Sequence, residues 1–358
     1  MAGILSIIKG MKFECLSSEA FNLDYERFAE YRDAEEHPAQ EPFETSALGD
    51  GRKRLTPVPA DVPPILTYFL DGSRRTYKVA DIIIDGRYFY PLVAGQIGVA
   101  VVSRDSNGHI KPVRVFGRIR NVLAFPDRIS PGDLNDIGNA IQERSRVPVD
   151  VLRYEIKEDR DFTDLAVAKI MSEMHAEEVR VVQRMVAENM LWNESMLVVD
   201  GPLRFKKHFE VTQFRNVIGV SKTFRPTFTI GRGRRKESVG TLVSALEFGA
   251  RTNVFKMVDD QRLLGIWYLR IRPPQRMSNP LQGVIKIERY AVDPAERDDG
   301  LDGVRVDVIS QHLLRERNVT PYQTDPRWAG HLYPVYMAET FLKTSFRSDA
   351  HFMALFQA

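Results

Sequence analysis

The sequence predicts a mixed α/β fold: a mixed sheet flanked by helices, preceded by an N-terminal extension. Three observations point there. The runs Ile65-Leu66-Thr67-Tyr68-Phe69-Leu70 and Met196-Leu197-Val198-Val199 are continuously apolar, as strands buried on both faces are. The long segment Asp161–Leu191 carries apolar residues at helical spacing, among them Val167, Ile170, Met171, Met174, Val181, Val182 and Met185. Along the chain, strands come first, and helices then alternate with strands, the order of a layered α/β domain.

Residues 1–60 differ in texture from residues 61–358, and they read as an extension or adaptor arm ahead of one domain. They hold the acids Glu35, Glu36, Glu41 and Glu44, several prolines and the basic knot Arg52-Lys53-Arg54. A short helix is expected near Phe21–Ala34. The apolar stretch ahead of Lys9 is too short for a secretory leader, and it reads as an amphipathic element packing on the body or on a partner. From Pro64 onward, strands are expected at Ile65–Leu70, Val79–Ile84, Ile97–Ser103 and Val113–Phe116. The first ends at Asp71-Gly72-Ser73, and Arg104-Asp105-Ser106-Asn107-Gly108 reads as a hairpin connection. A helix is expected at Pro131–Arg144, followed by the long helix, with Asp161 at its start as a cap and Asn193-Glu194 at its end. Strands at Met196–Val199, Asn216–Val220, Leu263–Arg272 and Gly283–Arg289 follow. Helices complete the chain at Val304–Arg315 and Pro334–Thr344, the latter with proline at a favourable starting position.

The 358 residues are 43% hydrophobic and 27% charged, enough for a sizeable core. Lys and Arg number 50 against 48 Asp and Glu, a net charge of +2. That excludes a uniformly basic DNA-coating protein but leaves room for a local basic groove. Cys15 is the single cysteine, which excludes internal disulfides, a cysteine-rich zinc site and a cysteine-held iron–sulfur cluster. It fits a reducing cytoplasm. No apolar run approaches the ~20 residues of a membrane span.

The chemistry concentrates in carboxylates. One apolar strand runs into Asp71-Gly72 and another into Asp200-Gly201. An acid at the carboxyl end of a buried strand stands where open α/β sheets place their ligands. The glycine lets the chain turn at once and lets a phosphate approach the backbone. Glu178 falls in the apolar stripe of the long helix, four after Met174 and four before Val182, with Glu177 nearer the stripe's edge. Glu339 lies between Val335 and Leu342 at helical spacing. Each has an ordinary reading beside this one: an Asp-Gly turn, a glutamate paired with arginine or reaching solvent, a helix-surface acid. Together, four carboxylates suit Mn²⁺ or Mg²⁺, which prefer oxygen ligands. Two such ions about 3.5–4 Å apart activate water and stabilise the leaving oxygen in phosphodiester hydrolysis.

These pieces resemble the NurA nucleases, partners of HerA-type hexameric DNA-translocating ATPases. The matching segments are Leu70-Asp71-Gly72-Ser73-Arg74, the helix of Glu178, Leu197-Val198-Val199-Asp200-Gly201-Pro202-Leu203, Val217-Ile218-Gly219-Val220-Ser221-Lys222, Trp267-Tyr268-Leu269-Arg270 and Tyr333-Pro334-Val335-Tyr336-Met337-Ala338-Glu339. They stand in the family's order from about Pro64 to Phe346. The resemblance implies an RNase H-like core related to the PIWI nuclease domain, and Mn²⁺- or Mg²⁺-dependent exo- and endonuclease activity on DNA. It also implies a homodimer docked on a HerA-like hexamer. Carried over by position, Asp71, Glu178, Asp200 and Glu339 are the metal-holding, catalytic residues. The family commonly has Asp or His at the last of these, so His331 is the alternative to Glu339.

Basic residues are candidates for the DNA path: Lys222 after a strand, Arg204, Lys206 and Lys207 after the second Asp-Gly, Arg232, Arg234 and Arg235 in a glycine-containing loop, and Arg270, Arg272 and Arg276 near a strand end. Such groups bind phosphate without reading sequence. A solvated loop or strand end is the plain reading of each. The P-loop pattern, HExxH and GxSxG are absent, so ATP hydrolysis falls to a partner. Asp85-Gly86 repeats the Asp-Gly theme and reads as a hairpin turn or a rival ligand. The reading is a deoxyribonuclease working with an ATPase in DNA end processing or antiviral defence. Two alternatives stand beside it: an adaptor of the ATPase with weak chemistry, and a PIWI-like nucleic-acid-binding module.

Overall fold

In a computed structural model that describes residues 3–11, 13–23, 42–46, 49, 51–145, 147–203, 209–230, 237–259, 261–317 and 326–356, the chain begins with helix α1 (Ile4–Gly10) and strand β1 (Glu14–Asn22). Strands β2 (Arg52–Arg54), β3 (Leu66–Ile84), β4 (Tyr88–Arg104), β5 (Ile110–Pro112) and β6 (Arg118–Pro126) follow, then α2 (Pro131–Arg144), β7 (Asp150–Tyr154) and α3 (Phe162–Ala187). The second half holds β8 (Met196–Asp200), β9 (Val217–Ser221), the pair β10 (Thr229–Ile230) and β11 (Glu237–Ser238), and α4 (Val239–Ser244). It continues with β12 (Ala250–Thr252), β13 (Phe255–Asp259), β14 (Arg262–Arg270), β15 (Val284–Tyr290), α5 (Pro294–Asp299), α6 (Gly303–Glu316), α7 (Tyr333–Ser345) and α8 (Asp349–Met353).

Among the described residues, thirteen strands form one mixed sheet with the order β2-β12-β14-β15-β9-β8-β3-β4-β6-β7, while β1 pairs with β3, β13 with β14 and β5 with β4. Three neighbours are parallel: β3 with β8, β8 with β9, and β6 with β7. Helices cover both faces. On one, α6 and α7 pack Val306, Ile309, Leu313, Val335 and Ala338 against Phe69, Val198, Val220 and Ile287. On the other, the C-terminal half of α3 and α4 pack Val179, Val182, Met185 and Val243 against Leu70, Val99, Val199 and Val217. Each of the Val, Leu, Ile, Phe and Met side chains among these, fully buried, contributes about 1.5–3 kcal/mol of transfer free energy.

The described parts of the first sixty residues pack on the body. α1 buries Ile4, Leu5, Ile7 and Ile8, as its amphipathic pattern predicts. β1 extends the sheet through pairs such as Cys15 with Ile82, and β2 pairs with β12. The helix expected near Phe21–Ala34 does not begin there. Phe21 and Asn22 are strand residues opposite Lys78 and Tyr77, and residues 24–34 lie outside the described ones.

The long helix is capped as expected: the Asp161 carboxylate accepts from the N–H groups of Thr163 and Asp164. It stops at Ala187, before the expected Asn193-Glu194, because Asn189 takes a left-handed conformation (φ 53°). Val113–Phe116 is not a strand. A 3-10 turn spans Arg114–Phe116 ahead of β6. The strand entering Asp71-Gly72 does not end there either. It runs 19 residues to Ile84, because β4 pairs with it along its length, from Tyr68–Ser103 to Ile84–Tyr88. Asp85-Gly86 is the exposed hairpin turn that joins them, with both residues at positive φ, and it forms no rival ligand. No helix among the described residues is long and apolar enough to cross a membrane.

Candidate functional site

The site grows from the register of two strands. Leu70 of β3 lies opposite Val199 of parallel β8, so the next residues, Asp71 and Asp200, stand side by side on adjacent strands. Strand alternation sets their face. Phe69 and Val198, two residues earlier, belong to the layer under α6 and α7, so both aspartates face that way. On the next strand Val220 pairs with Asp200, and Lys222 follows two residues later on the same side. β8 stops at Asp200, where Gly201 turns the chain with φ 110°. The glycine of the second Asp-Gly therefore turns the chain at once, as expected.

Gly72 does something else. It stays in the strand, on the face covered by α3, and Glu178 lies over it. A Cβ at residue 72 would stand 3.0 Å from Cδ of Glu178 and closer still to its Oε1. β8 pairs with this edge of β3 as far as Leu70 and β1 takes it up from Tyr77, so among the described residues no strand covers the opening between them. Glu178 reaches that opening from the α3 side, and Glu339 comes from α7 on the opposite side. Glu178 is 2% exposed and Asp71 6%. The side chains of Asp200 and Glu339 are partly open to solvent.

The electrostatics follow from this crowding. Burial, then the neighbouring Asp200, and then Glu339 and Glu178 hold the Asp71 carboxyl well above the usual aspartate range, against the opposing pull of Lys222. Lys222 places its Nζ 2.8 Å from Asp200 Oδ2. Burial works against its charge, but Asp200, Asp71 and Glu339 win, and its pKa is raised. Burial also opposes ionisation of Glu339, yet the Lys343 hydrogen bond (2.6 Å), Lys222 and His331 bring its pKa below the ordinary value. His331 is itself buried and close enough to act on Glu339, so both alternatives for the last position lie at the site.

Further residues support the acids. Nδ1 of His175, one helical turn before Glu178, lies 2.8 Å from its Oε2. Glu288 Oε2 accepts the Leu203 N–H (2.8 Å), and the Tyr290 hydroxyl donates to the Leu203 carbonyl (2.8 Å), pinning the turn that follows Asp200. Glu288 forms a fully buried ion pair with Lys286. The sequence carries a signal for each: a histidine three residues before an acid on a helix, and two opposite charges two apart in an apolar strand. Glu177 joins the ion pairs of Arg120 and Arg180 instead.

The structure redistributes the basic candidates. Lys222 is no solvated strand end, since it stands among the acids. Arg270 is fully buried and caps the carbonyls of Val243, Pro280 and Gln282, so it belongs to the core and not to a DNA path. Arg272 is buried, donates to the Ala329 carbonyl and stacks on Trp328. Arg276 is exposed. Arg204, Lys206, Lys207, Arg232, Arg234 and Arg235 lie outside the described residues.

The four acids offer oxygen donors and a heavily anionic setting, with one ammonium among them and the His331 imidazole beside Glu339. That chemistry fits a hard divalent cation. Among the described residues, no three His, Cys, Asp or Glu side chains are positioned as they stand to hold one ion. No protein-family model matches the chain, and no curated protein matches it significantly.

Proposed function

We propose that the chain is a metal-dependent DNA nuclease of NurA type on an RNase H-like core. The observation that carries this reading is the side-by-side placement of Asp71 and Asp200 on neighbouring parallel strands, with Glu178 seated over Gly72 beside them. The order β6-β4-β3-β8-β9 supports the RNase H-like reading, with three antiparallel strands followed by two parallel ones. Asp71, Glu178, Asp200 and Glu339 would hold Mn²⁺ or Mg²⁺, which supplies Lewis acidity at a phosphodiester. The chain's own acids fix the charge and the shape of the site, and Lys222 adds a donor suited to a phosphate oxygen. DNA is the substrate on this reading. A HerA-like hexameric ATPase and a second copy of the chain are the partners, in the cytoplasm, in end processing or antiviral defence.

The test is cleavage of labelled linear DNA with Mn²⁺, Mg²⁺ or EDTA, by the wild type and the Asp71→Ala/Asp200→Ala variant. Metal-dependent cleavage lost in the variant is expected. Cleavage that survives in the variant overturns the site. A second reading, an ATPase adaptor with weak chemistry, draws on the ion pair of Lys222 with Asp200, which ties up one of the acids. Silence of the purified protein, repeated with a HerA-like ATPase and ATP, would favour it.

A further inference from the structure

We propose that Lys222 is the internal counter-cation of the acid cluster, holding Asp200 and Asp71 together in the metal-free protein and competing with a divalent cation for Asp200. The inference rests on the metal-site reading above and concerns how the site is kept when no metal is bound. Four carboxylates drawn to one opening of a sheet repel one another, and the repulsion grows as water is excluded. A folded chain must offset that charge before any metal arrives.

Lys222 is built for this. Its stem is fixed by packing: a Cβ on Gly330 would stand 3.2 Å from Cβ and 3.4 Å from Cγ of Lys222, so glycine there lets the turn before His331 close onto the lysine. Its ammonium rests 2.8 Å from Asp200 Oδ2, with the two side chains only 16% and 19% exposed. A pair so shielded is screened less than a surface pair. Asp71 and Glu339 add to the same field. Packing holds the side chain only as far as Cγ, and the compact ammonium on the flexible methylenes beyond it is able to leave. While it stays, it occupies an acceptor of Asp200 and repels any second cation. Lys222 therefore stabilises the metal-free protein at the cost of affinity towards metal.

The experiment uses the full chain without DNA. Mn²⁺ binding is measured by titration calorimetry, and melting is followed in EDTA and across a Mn²⁺ series, for wild type, Lys222→Met and Lys222→Arg. Lys222→Met is expected to bind Mn²⁺ about fivefold more tightly, the effect of losing one partly shielded ion pair. It is also expected to melt below wild type in EDTA, with the gap closing as Mn²⁺ is added. Lys222→Arg, which keeps the charge, should stay near wild type in EDTA. Should Lys222→Met fail to fold in EDTA, Lys222→Gln is read in the same way. Wild-type melting of the neutral variant in EDTA, or Mn²⁺ binding no tighter than wild type, overturns the role of Lys222 alone. Absence of Mn²⁺ binding by wild type and Lys222→Met alike overturns the metal-site reading together with it.

Discussion

Gly72 and Glu178 share one space: the missing side chain of the glycine is where the glutamate carboxylate lies. Any β-carbon at position 72 must displace the Glu178 carboxylate. Gly72→Ala is therefore expected to cost about 1–3 kcal/mol by overpacking, although glycine is otherwise a poor strand residue. It should also lower metal-dependent cleavage at least tenfold, the scale set by a misplaced ligand. Glu178→Ala empties the same space, so Gly72→Ala should cost almost nothing in that background. A double-mutant cycle by denaturant unfolding reads the coupling, and additive penalties would refute the contact.

Asp71 ionises only against burial and three other acids, the pattern of a residue kept for function at the expense of stability. Asp71→Asn keeps the shape and removes the charge. It is expected to raise the melting temperature in EDTA while reducing Mn²⁺-dependent cleavage by about a hundredfold or more. A variant that is both active and no more stable would show that the Asp71 charge matters to neither.

Much of this arrangement is legible in the sequence, for physical reasons. Apolar runs locate β3 and β8, and helical periodicity puts Glu178 on a buried stripe, because burial leaves a periodic trace. The fate of Asp71-Gly72 is not legible. Locally the pair reads as a turn, and only the pairing of β4 along β3, with Gly72 opposite Val99, keeps the chain extended. Glu288 and Lys286 are visible as opposite charges in an apolar strand. The task of Glu288, holding the turn after Asp200, depends on β15 lying beside β9, which no local pattern announces. Short strands such as β7, β12 and β13 escape notice because three to five residues carry too little period to be seen.

Arg251 and Glu44 form an ion pair with side chains 1% and 0% exposed, and Arg251 also bonds Asp307 at 2.6 Å. The Glu44 carboxylate accepts the Val254 N–H as well, so it ties residues 42–46 to the sheet. Removing the guanidinium leaves a buried carboxylate without its cation. Arg251→Met is therefore expected to destabilise the fold by about 3–5 kcal/mol in denaturant unfolding. Adding Glu44→Gln should recover part of that loss, since the stranded charge is then gone. A loss under about 1 kcal/mol for Arg251→Met would show that the pair is dispensable.

His312 sits on α6, 2% exposed. Burial, with Arg315 and Arg305 nearby, lowers its pKa from 6.5 to about 4. The unfolded chain therefore takes up this proton between pH 6.5 and 4 while the folded chain does not. With more protons bound in the unfolded state, stability rises with pH. The contribution is complete above pH 6.5, falls as the pH drops, and levels off near pH 4, where the folded imidazole also protonates. The loss across that window is roughly 3 kcal/mol. His312→Gln removes the titration, so the stability difference between wild type and variant should shift by that amount between about pH 7 and pH 4. Chemical denaturation at several pH values measures it, and parallel pH profiles would show that His312 does not titrate between the two states.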